Sequence, residues 1–433
     1  MNTGHPHRGT SSTPRARTSP PARRMRVGAM AVLAVAGGVW WMSTSPWSQR
    51  ASAPGSARDA QPTMDAGYAE LAERDIQIRV WNTALDADTG SALVLGQLAA
   101  LHMQRAREGG GWDDYLTAER LARHSIARRT NRNGASAVTL VNALLAQHRF
   151  TEARAVARDL ATREYDIPEY RALLGEVAME LGDDVLADSM FRSVWEQRQT
   201  LSIAPRVARW LELTNHVPAA RAVLVAARDE AVSRRNIASE TKAWFHLRVG
   251  DLELRAGNLR RAEQAFRDGL DIEPGDPRLF SAMARLAMAR DEPHTAITWA
   301  ERAISLQLDP ATLGVASDAY AALGDTANAN AYVRTLDVAV STQPGAYHRA
   351  WALHLLDHGV RMDTVLVKAQ AELAERRDVY GYDLVAWALY RTGRVREASV
   401  MMQRALRFDT PDPLLARHAR AIATALSRQL ASR

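Results

Sequence analysis

The side chains of this chain best able to do chemistry are few and scattered. Asp113 and Asp114 stand side by side, and adjacent carboxylates can hold a divalent cation. They follow Trp112 at the start of an amphipathic stretch, where acids complement a helix N-terminus, so a solvated helix start is expected instead. His5 and His7 could share a metal ion, but they lie in a stretch without apolar periodicity. Gly109, Gly110 and Gly111 could cradle a phosphate through main-chain N–H groups, yet no strand leads into them, and an interhelical loop is the simpler reading. Cysteine is absent, which removes thiolate metal sites, cysteine nucleophiles, disulfides and a lipid anchor on cysteine. There is no phosphate-binding Walker loop, no dinucleotide glycine fingerprint, no HExxH and no nucleophile elbow. The expectation is a protein that is not an enzyme, with no catalytic residue, no cofactor and no metal.

A binding role must then be read from the surface and the elements that shape it. The formal charge of +6 suggests an anionic partner until its location is traced. Residues 1–50 hold seven arginines and no acid, which leaves residues 51–433 at −1. Phosphate polymers need concentrated basic surface, so no nucleic-acid partner is expected.

The N-terminal residues read as a membrane device. A basic tail, 1–26, ends in Arg23, Arg24 and Arg26, and residues 27–47 carry no charge. Twenty-one residues at about 1.5 Å each span a hydrocarbon layer of about 30 Å. The basic flank places the N-terminus in the cytoplasm, and Trp40, Trp41 and Trp47 suit the far interface. The expectation is a single-pass inner-membrane anchor with the rest of the chain periplasmic. The alternative is a cleaved signal ending near Ala51–Ser52–Ala53, giving a secreted or periplasmic product. Residues 48–66 read as a flexible linker.

From about residue 91 the chain repeats. Ala118, Ala153, Ala187, Ala220, Ala262, Ala296, Ala329 and Ala398 are spaced by 35, 34, 33, 42, 34, 33 and 69 residues. Thirteen before most of them lies an apolar residue followed by a small one, as in Leu174–Gly175 and Val249–Gly250. Five before lie Gly182, Gly257, Gly324 and Gly393, and four after lie Phe191, Leu224, Phe266, Val333 and Met402. Small residues let antiparallel helices approach, and glycine accepts the left-handed turn between them. This pattern resembles the tetratricopeptide repeat (TPR), most fully in the unit holding Val249, Gly250, Gly257, Ala262, Phe266 and Pro274.

The resemblance implies an all-α, right-handed solenoid of about nine TPR-like helix pairs over residues 67–433, following the transmembrane helix. Residues 65–86 are expected to cover one end, and a helix over Asp412–Arg428 to cap the other. Three irregularities are visible: an enlarged loop in the first unit around Gly109–Asp114, about eight inserted residues near 228–241, and an eighth unit, 346–376, lacking its alanine. Glu253 occupies a seat usually held by an aromatic residue. Family members line their concave groove with the first helix of each pair. Here that strip is Asn142, Glu176, Arg209, Asp251, Arg285, Asp318 and Trp387, with Trp244, Trp387 and Tyr390 as candidate aromatic anchors for a protein or peptide partner. The implied function is a membrane-anchored scaffold or adaptor binding other proteins in the bacterial periplasm. The alternatives are a cytoplasmic TPR regulatory adaptor and, further off, an enzyme on a helical toroid.

Overall fold

The computed structural model describes residues 64–108, 111–342 and 349–432. The basic tail, the apolar segment 27–47, most of the linker, His5, His7, Gly109 and Gly110 lie outside the described residues. No described helix is long and apolar enough to cross a membrane. All regular structure among the described residues is helical. Helix α1, Met64–Ala87, begins inside the stretch expected to be linker. Nine antiparallel pairs follow. They are α2 Ala92–Arg107 with α3 Trp112–Arg128, α4 Gly134–Ala146 with α5 Phe150–Arg163, and α6 Pro168–Leu181 with α7 Asp184–Gln197. Next come α8 Ala204–Leu213 with α9 Val217–Ser233, α10 Ser239–Arg255 with α11 Leu259–Ile272, and α12 Pro277–Ala289 with α13 Pro293–Leu306. The last three are α14 Pro310–Ala322 with α15 Thr326–Ser341, α16 Arg349–Asp357 with α17 Met362–Glu375, and α18 Val379–Arg391 with α19 Val395–Ala405. Helix α20, Pro413–Ala431, covers the last pair. Each pair packs on the next, as a solenoid requires.

The marker alanines explain why the pairs close. All eight are buried, seven of them completely, at the crossing of the two helices. Their companions Phe191, Leu224, Phe266 and Met402 are buried too, while Val333 is half-buried. Gly250 shows the tolerance: a methyl there would lie 2.3 Å from the Phe266 ring. Phe266 itself, fully buried, contributes roughly 2–3 kcal/mol. The turn five residues before each alanine is left-handed in every pair from the second to the seventh and in the ninth. Gly182, Gly257, Gly324 and Gly393 supply it, and so do His148, Asn215 and Asp291 at φ of 57°, 63° and 61°.

The irregular units resolve differently from expectation. In the first, Trp112, Asp113 and Asp114 belong to α3, so the extra residues lengthen the helices rather than enlarge the loop. Asp113 is exposed, but Asp114 is buried and accepts from Arg105 and His102 of α2, at 2.7 Å each at its Oδ1. Burial alone would raise its pKa; those two partners override it and hold the carboxyl below its ordinary range. Near 228–241 the added residues likewise extend α9 and the start of α10, each 17 residues long. In the eighth unit the turn holds one extra residue, with Gly359 and Arg361 both left-handed. The register therefore slips: Thr364 points outward, and Val365, fully buried, fills the alanine's seat. Glu253 keeps its buried position by pairing with Arg221 and accepting from Asn258 at 2.7 Å.

The stack also meets itself, which the repeat pattern does not announce. His148 Nδ1 lies 2.9 Å from Glu372, and the Thr151 hydroxyl donates to Glu375 at 2.6 Å. Arg407 bonds Asp184 at 2.7 and 3.1 Å, and Thr410 donates to the Leu213 carbonyl at 2.6 Å. These partners are about 200 residues or more apart, six to seven repeats along the chain. Phe408 sets its ring edge-on to Trp210 at 5.5 Å, and one apolar cluster runs through α6–α8 and α14–α20. We call this self-contact the seam. At the other end, the carboxylate of Glu70 on α1 accepts from the main-chain N–H and hydroxyl of Ser239, at 3.3 and 3.2 Å.

Candidate protein-binding site

Two surfaces are candidates: the strip along the first helices, and a cleft at the seam. The strip falls on first helices α4, α6, α8, α10, α12, α14 and α18 as expected, but most of its charges are already paired. Glu176 accepts from Arg206 at 2.7 Å, and Arg209 donates to Glu212 at 3.0 Å. Asp251 accepts from Arg285 at 3.0 Å with Arg248 at 3.7 Å. Arg255 completes the set on Glu212. Across the seam, the Tyr380 ring lies 5.1 Å from the Arg209 guanidinium. Asn142 is half-buried.

The anchors behave as packing residues. Trp387 is buried: His418 stacks on it at 4.0 Å, Tyr390 stacks on it at 5.0 Å, and its Nε1 donates to Asp357 at 2.8 Å. Trp244 lies half-buried beside Phe245, against two apolar clusters. Asp318 stands apart from the other charges, facing two histidines.

A charge cluster of another kind gathers where α1, α2, α10 and the α11–α12 turn meet. Arg278 pairs with Glu240 and Asp276 at 2.7 Å each, while Glu273 has no ion-pair partner among the described residues. Burial, reinforced by Glu70, Asp276, Glu240 and Glu108, pushes the Glu273 carboxyl up to about 7. A carboxyl raised in the fold destabilises it increasingly as pH climbs from the ordinary value towards 7, and by a constant amount above that. Glu273→Gln is therefore expected to stabilise the protein at pH 8.5 by about 1–2 kcal/mol, after discounting for partial exposure, with no gain at pH 4.5. Thermal melts at the two pH values measure this; a gain of equal size at both would rule out the charge as its cause.

The seam cleft has about 740 Å³ of space. Arg154 of α5, the start of α7 at Asp183 and Asp184, Arg377, Tyr382 of α18, and Gln403 and Arg404 of α19 line it, with Arg407 beyond. Asp183 caps α7, and Asp184 is taken by Arg407. Arg404 and Arg407 each hold a guanidinium 5.7 Å from the Tyr382 ring centroid. Arg154, Arg377 and Arg404 line the cleft without a carboxylate partner among the described residues, and of the three Arg404 lies beside the Tyr382 ring. Guanidiniums without a carboxylate partner are suited to bidentate pairing with carboxylates. Sequence reasoning missed the cleft because its walls come from repeats two and three on one side and nine on the other.

No family model and no curated protein matches the chain. Among solved structures, the chain is similar to PilW, a widely conserved type IV pilus biogenesis factor. The identity is 17% and the TM-score 0.41, over 52% of this chain and 99% of that one. A tetratricopeptide repeat protein from Parabacteroides merdae aligns at 13% identity and TM-score 0.41, over 56% and 93%. Pseudomonas aeruginosa PilF aligns at 16% and 0.37, over 50% and 93%. Scores this low carry no argument about function. The assignment to a TPR-like solenoid rests on the chain's own nine pairs, their buried alanines and their left-handed turns.

Proposed function

We propose that this chain is a scaffold that docks other proteins, and that it grips an acidic segment of a partner in the seam cleft. The observation carrying this is the contrast between the two surfaces. The strip charges other than Asp318 already have an ion-pair partner, whereas Arg154, Arg377 and Arg404 line the cleft with no carboxylate partner among the described residues, Arg404 beside Tyr382. An acidic peptide would supply the missing carboxylates, with the Tyr382 face available to an apolar neighbour. Residues 27–47 support an inner-membrane anchor with the solenoid on the periplasmic side, where such docking would assemble proteins at the membrane.

A photo-crosslinking residue placed at Gln403 in cells tests the docking. One discrete protein adduct is expected, and Arg377→Glu with Arg404→Glu should abolish it while leaving the circular dichroism unchanged. No adduct, or one indifferent to charge reversal, would remove the cleft as the docking site. A C-terminal reporter active only in the periplasm tests the topology, and its silence beside an active cytoplasmic reporter would reverse the orientation.

A further inference from the structure

Asp318 of α14 faces a pair of histidines that no other feature of the fold accounts for. His354 lies in α16, and His358 continues the same helical path, its N–H bonding the His354 carbonyl at 3.1 Å. Four residues apart, the two rings share one face, with centroids 4.4 Å apart. His358 Nε2 is 2.9 Å from Asp318 Oδ1, and His354 Nδ1 is 3.2 Å from the same oxygen. All three atoms lie within 4.8 Å of one another.

His354 is the informative member. Its side chain is 4% exposed, and neither ring nitrogen makes a properly directed hydrogen bond. The contact with Asp318 is close in distance but poor in angle. A buried polar atom left without a partner destabilises a fold, and the side chains around His354 on α16, Trp351, Leu355 and Leu356, are apolar and buried. An imidazole kept there, beside a carboxylate and a second imidazole, suits a metal ion.

From this geometry we infer that Asp318, His354 and His358 form a binding site for a divalent transition-metal ion, zinc being the best match. Two neutral imidazoles and one carboxylate favour zinc over calcium or magnesium, which prefer all-oxygen shells. Bond lengths of about 2.0–2.2 Å place tetrahedral ligand atoms about 3.4 Å apart. The two observed Asp318 contacts are slightly shorter, so the site is drawn together as an ion pair and must open by a few tenths of an ångström. Asp318 and His358 are both about half-exposed, which leaves them able to move, while His354 is fixed by packing. Three protein ligands leave one position for water or for a carboxylate of a docked protein. The ion would clip the seventh pair to the eighth, the unit whose turn carries the extra residue. Asp318 is also the one strip carboxylate not paired with an arginine.

The test uses the full chain, stripped with a chelator and titrated with zinc by calorimetry, and with cobalt(II) as a visible-absorption probe. One zinc per chain, a higher thermal midpoint with zinc, and cobalt absorption typical of mixed nitrogen and oxygen ligands are expected. Asp318→Asn and His358→Ala, both at solvent-accessible positions, should each weaken zinc binding roughly tenfold or more. Their metal-free melts should match the parent protein. Replacing His5 and His7 with alanine should leave binding as it was. Absence of zinc binding in the parent chain, or binding that survives the Asp318→Asn, His358→Ala double variant, would overturn the site.

Discussion

Replacing Gly182 with alanine should destabilise the protein by roughly 3 kcal/mol, whereas the same change at Gly257 should cost about 1–2 kcal/mol. The two glycines occupy equivalent turns, at φ of 72° and 76°, so both variants incur the left-handed penalty of a Cβ. They differ in what lies beyond. At Gly257 a methyl meets nothing within 4 Å, but at Gly182 it would lie 2.5 Å from the carbonyl oxygen of Arg377, across the seam. Main chain cannot rotate away, so the seam must part locally. Denaturant titrations of the two variants, with hydrogen exchange reporting on α5–α8, measure the difference. Equal losses would mean that the seam contributes little at this point.

Asp383→Ala should cost about 3–5 kcal/mol and loosen the capping helix first. Asp383 is completely buried on α18; it accepts from Arg349 and from the equally buried His418 of α20, each as a short, charge-assisted contact. Removing the carboxylate leaves His418 without its acceptor under Trp387 and leaves the Arg349 charge uncompensated. Burial works against the Asp383 carboxylate, but the His418 hydrogen bond and the Arg349 charge outweigh it and hold the pKa below the ordinary carboxylate value. A depressed carboxyl stabilises the fold fully above its unfolded pKa and loses that contribution as pH falls through the folded value. The gap between parent and variant should therefore narrow in acid. Calorimetric melts across pH, with exchange rates in α20, test both statements; a gap independent of pH would point to cavity formation alone.

Much of the fold was legible because it is periodic. Ala187, Ala262 and Ala398 mark helix crossings by their small size, and Gly257 and Gly393 mark turns by a conformation other residues avoid. The positions at His148, Asn215 and Asp291 were harder, since the same turn is made by residues that merely tolerate it. The eighth unit was obscured by a single extra residue that moved Val365 into the alanine's place. The binding surface was less legible for a different reason. A strip read from one helix per repeat takes no account of the partners that neutralise it from neighbouring positions, such as Arg206 on Glu176 and Glu212 on Arg209. The seam cleft joins residues more than 200 positions apart, and nothing local encodes that meeting. The histidine pair was present as a spacing of four, but its carboxylate comes from another repeat.

The seam changes how such a chain should come apart. An open array of repeats behaves as a one-dimensional lattice, in which each unit answers only to its neighbours and the ends fray independently. Here the contacts of Arg407, Thr410 and Phe408 tie the ninth repeat to the third and fourth, turning the lattice into a loop closed by a long-range bond. Losing the last pair would uncover Trp210 and the core beneath it, so damage at one terminus is felt in the middle of the chain. Closing a loop of about 200 residues carries an entropic cost that contacts between neighbouring repeats do not. Unfolding that is more cooperative than that of an open solenoid is the expected consequence.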